Sequence, residues 1–314
     1  MTYTEERVTI EGAYQIGATI TYQDKDARRP AVVIIAGTGK MNRDGSDGTH
    51  KMDLYKNFAE MFSEWGYNTV RYDKRGTFES KGDFYSTGLS DLVDDAASVV
   101  RYMKSLPYVD PEKVLVFGHS EGGIVATILT QKEDVAGTML IGSIPMTLKD
   151  ALYYQNELVA NECSEATGLK GLVLSKAANE EKNIAKVDSM FQKAKESDKD
   201  CIRFSGVRVC AKWLREHDSY TSEDFITMLN EFGKPVLAII GDKDLSADCE
   251  KLELLKDIPN VQCYCPENVN HLLREVDDDN SIMSVKKQYM RLSSRPVHQE
   301  TQDIIRGWLE SVSN

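Results

Sequence analysis

The chain has 314 residues, 41% hydrophobic and 28% charged, a globular composition that excludes a disordered or low-complexity chain. Its 50 acidic and 38 basic residues leave a net charge of −12, which repels phosphate backbones and argues against nucleic acid and anionic lipid surfaces as partners. No run of about 18 apolar residues occurs, so no membrane span is expected, and the length fits one large α/β domain with an insertion or two ordinary domains.

Residues 1–7 carry no apolar stretch, so a cytoplasmic location without a secretory signal is expected. Alternating apolar positions around Val8–Ile10 and Tyr14–Tyr22 predict an antiparallel pair. Short continuous apolar runs follow at residues 31–36, 68–72, 114–117, 137–141, 235–240 and 261–264. Runs that are apolar on both faces suit the strands of a buried, mostly parallel sheet. Between them Leu54, Phe58, Met61, Phe62 and Trp65 recur at helical steps, as do Leu89, Leu92, Val93, Ala96, Val99, Val100 and Met103. A last helix is predicted near residues 302–312. Strands alternating with helices predict a doubly wound α/β sheet with right-handed crossovers.

That rhythm breaks between residues 145 and 232, which offer no strand and read as helices rich in Lys, Glu, Ala, Met and Leu. The expected organisation is a core of residues 1–144 and 233–314 with a helical cap, 145–232, over the strand ends. The stretch 179–200 is highly charged and is expected to face solvent. Six dispersed cysteines make no disulfide scaffold and are read as reduced thiols. Cys263 and Cys265 form a C-x-C without further ligands nearby, so no metal site is expected.

Gly118-His119-Ser120-Glu121-Gly122 matches G-x-S-x-G, a pattern that chance alone would produce on the order of 0.1 times in such a chain. Its context is more specific. The motif joins an apolar strand to a helical segment, the setting of a nucleophile elbow that raises a serine hydroxyl at a helix N-terminus. A Gly-rich turn that merely packs a helix on a strand is the bland alternative. A serine needs a base. Of five histidines, His271 follows the strand 261–264 on a loop facing the crevice where such sheets hold ligands; His119 is expected to point away from the serine. Either Asp242 or Asp244, after the strand 235–240, could orient the imidazole. The turn favours Asp244, with Asp242 holding the turn, and the chain order is then Ser, Asp, His. Two N–H donors for an oxyanion are expected from Glu121 and from Thr38 in the loop Gly37-Thr38-Gly39. Gly37-Thr38-Gly39-Lys40 lacks the spacing of a phosphate-binding P-loop.

Ala36-Gly37-Thr38-Gly39, Asn42-Arg43-Asp44-Gly45, Arg71-Tyr72-Asp73-Lys74-Arg75-Gly76, the elbow with Gly123, Gly241-Asp242-Lys243-Asp244 and Asn270-His271 resemble the serine aminopeptidase-like and acyl-esterase branch of the α/β hydrolases. The likeness runs from about residue 30 to the end, with the cap matched poorly. It implies the α/β-hydrolase fold and the chemistry of carboxylesterases, cinnamoyl-type esterases and monoacylglycerol lipases, with fewer true peptidases. It also implies structural roles for Arg43, Asp44, Asp73 and Arg75 beside the oxyanion loop. Ala36 departs from relatives that usually carry a His there, a residue that transfers no proton.

The expected activity is hydrolysis of a small carboxylic ester through an acyl-enzyme on Ser120, with no metal or organic cofactor. An aminopeptidase or thioesterase using the same residues is the alternative within enzymes, and a ligand-binding protein of this fold the alternative outside them. Tyr153, Tyr154, Trp213 and Tyr220 lie near the junctions of the insertion. They are candidates to line an acyl or aryl pocket, or else to pack the cap onto the core.

Overall fold

The structure, a computed structural model, describes residues 3–48, 50–165 and 180–313. An antiparallel pair, β1 (Thr4–Glu11) and β2 (Gln15–Tyr22), opens the chain. The core then continues through β3 (Arg29–Ile35), α1 (Leu54–Glu64), β4 (Asn68–Tyr72), α2 (Leu89–Ser105), β5 (Val109–His119), α3 (Glu121–Leu129) and β6 (Gly137–Ile141). Next come α4 (Leu148–Glu165), α5 (Glu180–Lys195), the hairpin β7 (Cys201–Phe204) and β8 (Val207–Cys210), α6 (Ala211–His217) and α7 (Ser222–Phe232). β9 (Val236–Ile239), β10 (Val261–Tyr264), α8 (Val285–Leu292) and α9 (Gln299–Ser313) complete the described elements.

Eight strands form one sheet in the order β1-β2-β4-β3-β5-β6-β9-β10. β4, β3, β5, β6, β9 and β10 run parallel; β1 and β2 are antiparallel additions at one edge. The continuous apolar runs follow from burial on both faces. In β5, Val114 and Val116 enter one apolar cluster with α2 and α3, whereas Leu115 and Phe117 enter the other with α1 and α9. Successive side chains point to opposite faces, so a strand covered on both sides has no polar position to spare.

The insertion differs from its expected all-helical form. Residues 201–210 make a β-hairpin, turned at Ser205 and Gly206, both with positive φ. Strands of four residues are too short for a clear period, but the Ser-Gly pair is a turn signal. The charged helix α5 lies largely exposed, burying Phe191 and Ala194 against α6. α7 sends Phe225 and Leu229 into the same cluster as α2 and α3, so it packs as part of the core layers. Residues 166–179 lie outside the described residues.

Paired register brings the strand ends level: Ile35 beside Gly118, His119 beside Ile141, and Ile141 and Tyr264 beside Ile239. The loops after β3, β5, β6, β9 and β10 therefore open at one edge, where sheets of this kind bind ligands. Buried ion pairs hold the neighbouring loops. Asp73, at the end of β4, accepts from the Arg43 guanidinium at 2.6 Å, from the Arg43 N–H at 2.7 Å and from the Glu79 N–H at 3.1 Å. Arg71 binds Asp44 at 2.6 Å, and Arg75 binds Asp95 and Asp91 on α2 at 2.7 and 2.8 Å. Replacing Asp73 by Asn leaves the buried Arg43 with only the half-exposed Glu79 as a charged partner. The Asp73→Asn variant is expected to lose about 3 kcal/mol, measured from its urea midpoint; a loss under about 1 kcal/mol would show that Glu79 alone neutralises Arg43.

Candidate active site

Ser120 stands between β5 and α3 at φ 55° and ψ −125°, a conformation that costs a non-glycine residue free energy and persists only where its surroundings enforce it. Its N–H donates to the Ile141 carbonyl at 2.8 Å, and its own carbonyl accepts from the Gly123 N–H at 2.9 Å. The motif's glycines have a steric cause. A Cβ on Gly118 would come within 2.3 Å of the Gly122 oxygen, and one on Gly122 within 2.2 Å of the Ile35 oxygen. The close packing of α3 on β3 and β5 thus leaves no room for a side chain at position 118 or 122.

His271 Nδ1 lies 2.7 Å from Asp244 Oδ2. Asp244 is buried, and its other oxygen accepts from the Ser246 and Ala247 N–H groups at 2.7 and 3.0 Å. This ties the carboxylate to one orientation and leaves the Nε2 side of the imidazole for other partners. Asp242 has a different place: it accepts from the Val269 N–H at 3.2 Å and pairs with Lys243, bracing the two loops. Gly142, after β6, approaches the pair so closely that a Cβ there would sit 2.7 Å from His271 Nδ1. Tyr289 of α8 stacks over His271 at 6.3 Å.

His119 is buried and lies outside the lining of the cavity above Ser120, its ring 4.7 Å from that of His271. It belongs to a chain of hydrogen bonds. The Gly37 N–H donates to Tyr55 Oη at 2.7 Å, Tyr55 Oη meets His119 Nδ1 at 3.1 Å, and His119 Nε2 meets the His271 carbonyl at 2.9 Å. With Tyr55 donating to Nδ1, the Nε2–H donates to the carbonyl, which requires a neutral ring. Burial, reinforced by the charge on His271, pushes His119 down to about 3.

Glu121 carries more than a backbone N–H. Its buried carboxylate binds Lys74 at 2.6 Å, His217 Nε2 at 3.2 Å and the Trp213 indole N–H. Burial alone would raise its pKa, but the Lys74 charge and the His217 bond outweigh that and hold it well below the usual carboxylate range. The pairing of Lys74 and His217 with Glu121 was not foreseen from the sequence. The available signal was a glutamate at the head of the apolar run Gly122–Leu129, where a buried charge demands a cation.

A cavity of about 390 Å³ opens above Ser120, with walls from Thr38, Glu121, Gly142, Ile144, Leu148 and Trp213. The Thr38 and Glu121 N–H groups donate to no backbone acceptor among the described residues. Of the four aromatic pocket candidates, only Trp213 lines this cavity. Tyr153 and Tyr154 line a neighbouring one between α4 and α5, and the Tyr153 hydroxyl bonds Asp188. Tyr220 stacks on Phe225 at 5.4 Å and packs α7.

The neutral His119 has a consequence for stability. Its folded pKa of about 3 lies below the ordinary 6.5, so between these values the unfolded chain binds a proton that the folded chain does not. This group's contribution is complete above about pH 6.5 and is lost as pH falls toward about 3. The melting temperature of His119→Gln is expected to fall less steeply than that of the parent between about pH 7 and 4.5. Equal slopes would mean that His119 takes up its proton in the folded state.

The chain's likenesses agree with this architecture. The esterase EstD of Thermotoga maritima is 24% identical over 275 residues, 86% of this chain; the chain spans 60% of that relative's length. Est1E of Butyrivibrio proteoclasticus, solved with ferulic acid, superposes with a TM-score of 0.56 at 18% identity, over 92% of this chain and 99% of that one. The Pyrococcus furiosus esterase PF2001 gives 0.59 at 15%, over 99% and 92%, and the proline iminopeptidase of Mycobacterium smegmatis 0.60 at 13%, over 98% and 99%. These structures share the α/β-hydrolase fold with this chain. The family model for serine aminopeptidase, S33, matches residues 48–273, more than two thirds of the sequence and the whole run from the loop before α1 to His271, and the chain belongs to that family of hydrolases.

Proposed function

We propose that the chain is a carboxylic-ester hydrolase in which Ser120 is the nucleophile, His271 the base and Asp244 the acid that orients it. The observation that carries the reading is the short Asp244–His271 bond beside a cavity whose floor is a serine in a strained elbow. His271 takes the Ser120 proton as Oγ attacks the carbonyl carbon. Charge builds on the carbonyl oxygen, and the N–H groups of Thr38 and Glu121 are the donors assigned to it. His271 then protonates the departing alcohol, and afterwards activates a water that releases the acid from Ser120. Every step uses this chain's own side chains and backbone.

Ester cleavage is favoured over removal of an N-terminal residue by the character of the cavity wall. An aminopeptidase has to hold a free ammonium, and a carboxylate is the natural partner. Among the described residues that line the Ser120 cavity, Glu121 is the one acid, and Lys74, His217 and Trp213 already occupy its oxygens. The esterase relative supports the same choice. In this reading the described residues of 145–165 and 180–220 cover the site as a cap, with the boundary before α7 because α7 packs into the core.

A fluorophosphonate probe is expected to label Ser120, and p-nitrophenyl esters to be cleaved in preference to aminoacyl anilides. Ser120→Ala should lose at least ~10³-fold in kcat/KM while folding normally. Asp244→Asn should lower kcat by a factor on the order of 10⁴, and Asp242→Asn by far less, since Asp242 braces a loop and does not touch the imidazole. Full activity in Ser120→Ala, or greater damage from Asp242→Asn than from Asp244→Asn, would overturn the assignment.

A further inference from the structure

Beyond Trp213 lies a second cavity of about 230 Å³. Thr38, Glu121 and Trp213 border both cavities, so the two meet where the donors assigned to the oxyanion stand. The second is lined by Phe84, Tyr85, Leu92 and Val209 and carries Arg208 in its wall. Arg208, from β8, lies 4.1 Å from the centroid of the Tyr85 ring. Lys40, from the loop after β3, lies 4.3 Å from the same ring and 4.8 Å from that of Phe84.

Neither cation has an ion-pair partner among the described residues, in a chain with a net charge of −12. The other cations around this space are neutralised: Lys74 by Glu121, Lys212 by Asp91, and Arg75 by Asp91 and Asp95. Asp83 acts on Arg208 through its charge without an ion-pair contact, its carboxylate being directed to the Tyr85 N–H and the Ser86 hydroxyl. Arg208 Nε reaches only the Cys201 sulfur, at 3.5 Å, a weak acceptor. Arg208 stands in the cavity wall, and Lys40 sits over the Tyr85 and Phe84 rings that also line it, so a carboxylate at that wall gains a cationic partner that the described residues leave unpaired.

We propose that this second cavity is a subsite for an acyl group ending in a carboxylate, bound by Arg208 and Lys40, so that the preferred substrates are half-esters of dicarboxylic acids. The proposal rests on the ester-hydrolase reading above. The acyl side is assigned from the direction of proton transfer. The departing oxygen takes its proton from His271, so the alcohol leaves on the His271 side. The first cavity is walled there by Gly142, which abuts His271, and by Ser246 and Ala247, which bind Asp244. None of these residues borders the second cavity, which is reached across Thr38 and Glu121 and receives the remaining substituent of the carbonyl carbon.

The test compares three esters: ethyl hydrogen adipate, ethyl hexanoate of the same acyl length without the carboxylate, and 6-acetoxyhexanoate with the carboxylate on the alcohol side. The parent enzyme is expected to favour the adipate half-ester by kcat/KM, with the preference carried by KM and eroded by salt. Arg208→Gln and Lys40→Gln should each lower the ratio of adipate half-ester to hexanoate about three- to fivefold, the range of a solvent-accessible ion pair. A ratio unchanged in the double variant overturns the subsite, and a preference shown by 6-acetoxyhexanoate instead overturns its acyl assignment. An enzyme labelled at Ser120 that favours hexanoate overturns the subsite alone. An enzyme that is neither labelled nor active on any of the three overturns the ester-hydrolase reading and the subsite with it.

Discussion

A carboxylate buried beside the nucleophile elbow organises the rest of the site. Glu121 heads α3, where helix N-terminal N–H groups favour a negative charge, yet it is shut away from water. An unpaired charge there would cost several kcal/mol. Lys74 comes from the end of β4, and His217 and Trp213 come from α6 of the insertion. The charge therefore ties the insertion to the core, beside the Lys212–Asp91 and Glu216–Ser90 contacts on α2. It also sets the position of the indole that separates the two cavities.

A second, uncharged set of bonds holds the opposite side. Gly37, Tyr55, His119 and the His271 backbone are linked in series, so the loop after β3 and the loop after β10 are joined through the elbow residue next to Ser120. A protonated His119 could not accept from Tyr55, and the chain would break at its middle. Burial disfavours the charged form at both residues, but only at Glu121 is it outweighed. At Glu121 the Lys74 charge and the His217 bond sustain an ionised group, whereas at His119 burial keeps the ring neutral. Strain at Ser120 is supported from both directions.

Most of the core was legible because its strands are buried on both faces, and a run such as 114–117 has few other uses. The elbow, Asp244 and His271 were legible because each follows such a run, and level strand ends bring the loops together. The roles of Lys74, His217, Tyr55 and Tyr289 were not, since each acts across 18 to 96 residues of sequence on partners that only the packed fold supplies. The hairpin 201–210 was missed because four-residue strands give no period. Tyr153, Tyr154 and Tyr220 show the converse limit. Aromatic residues near an insertion junction are marked by position, but the faces of α4 and α7 decide which cavity or cluster receives them.

The two parts of the chain carry separable tasks on the proposed mechanism. Ser120, Asp244, His271 and the two assigned N–H donors all come from the core, where sheet register and steric limits at Gly118 and Gly122 leave little freedom. Trp213, Arg208 and Val209 come from the insertion, whose own small cluster centres on Phe191, Ala194, Ala211 and Leu214. Its hairpin strands are mostly half-buried or exposed, so residues there can change with modest effects on stability. On the proposed mechanism, core register fixes where the bond breaks, and the insertion governs what can be brought to it. Selectivity can then vary with the hairpin while the Asp244–His271 geometry stays as it is.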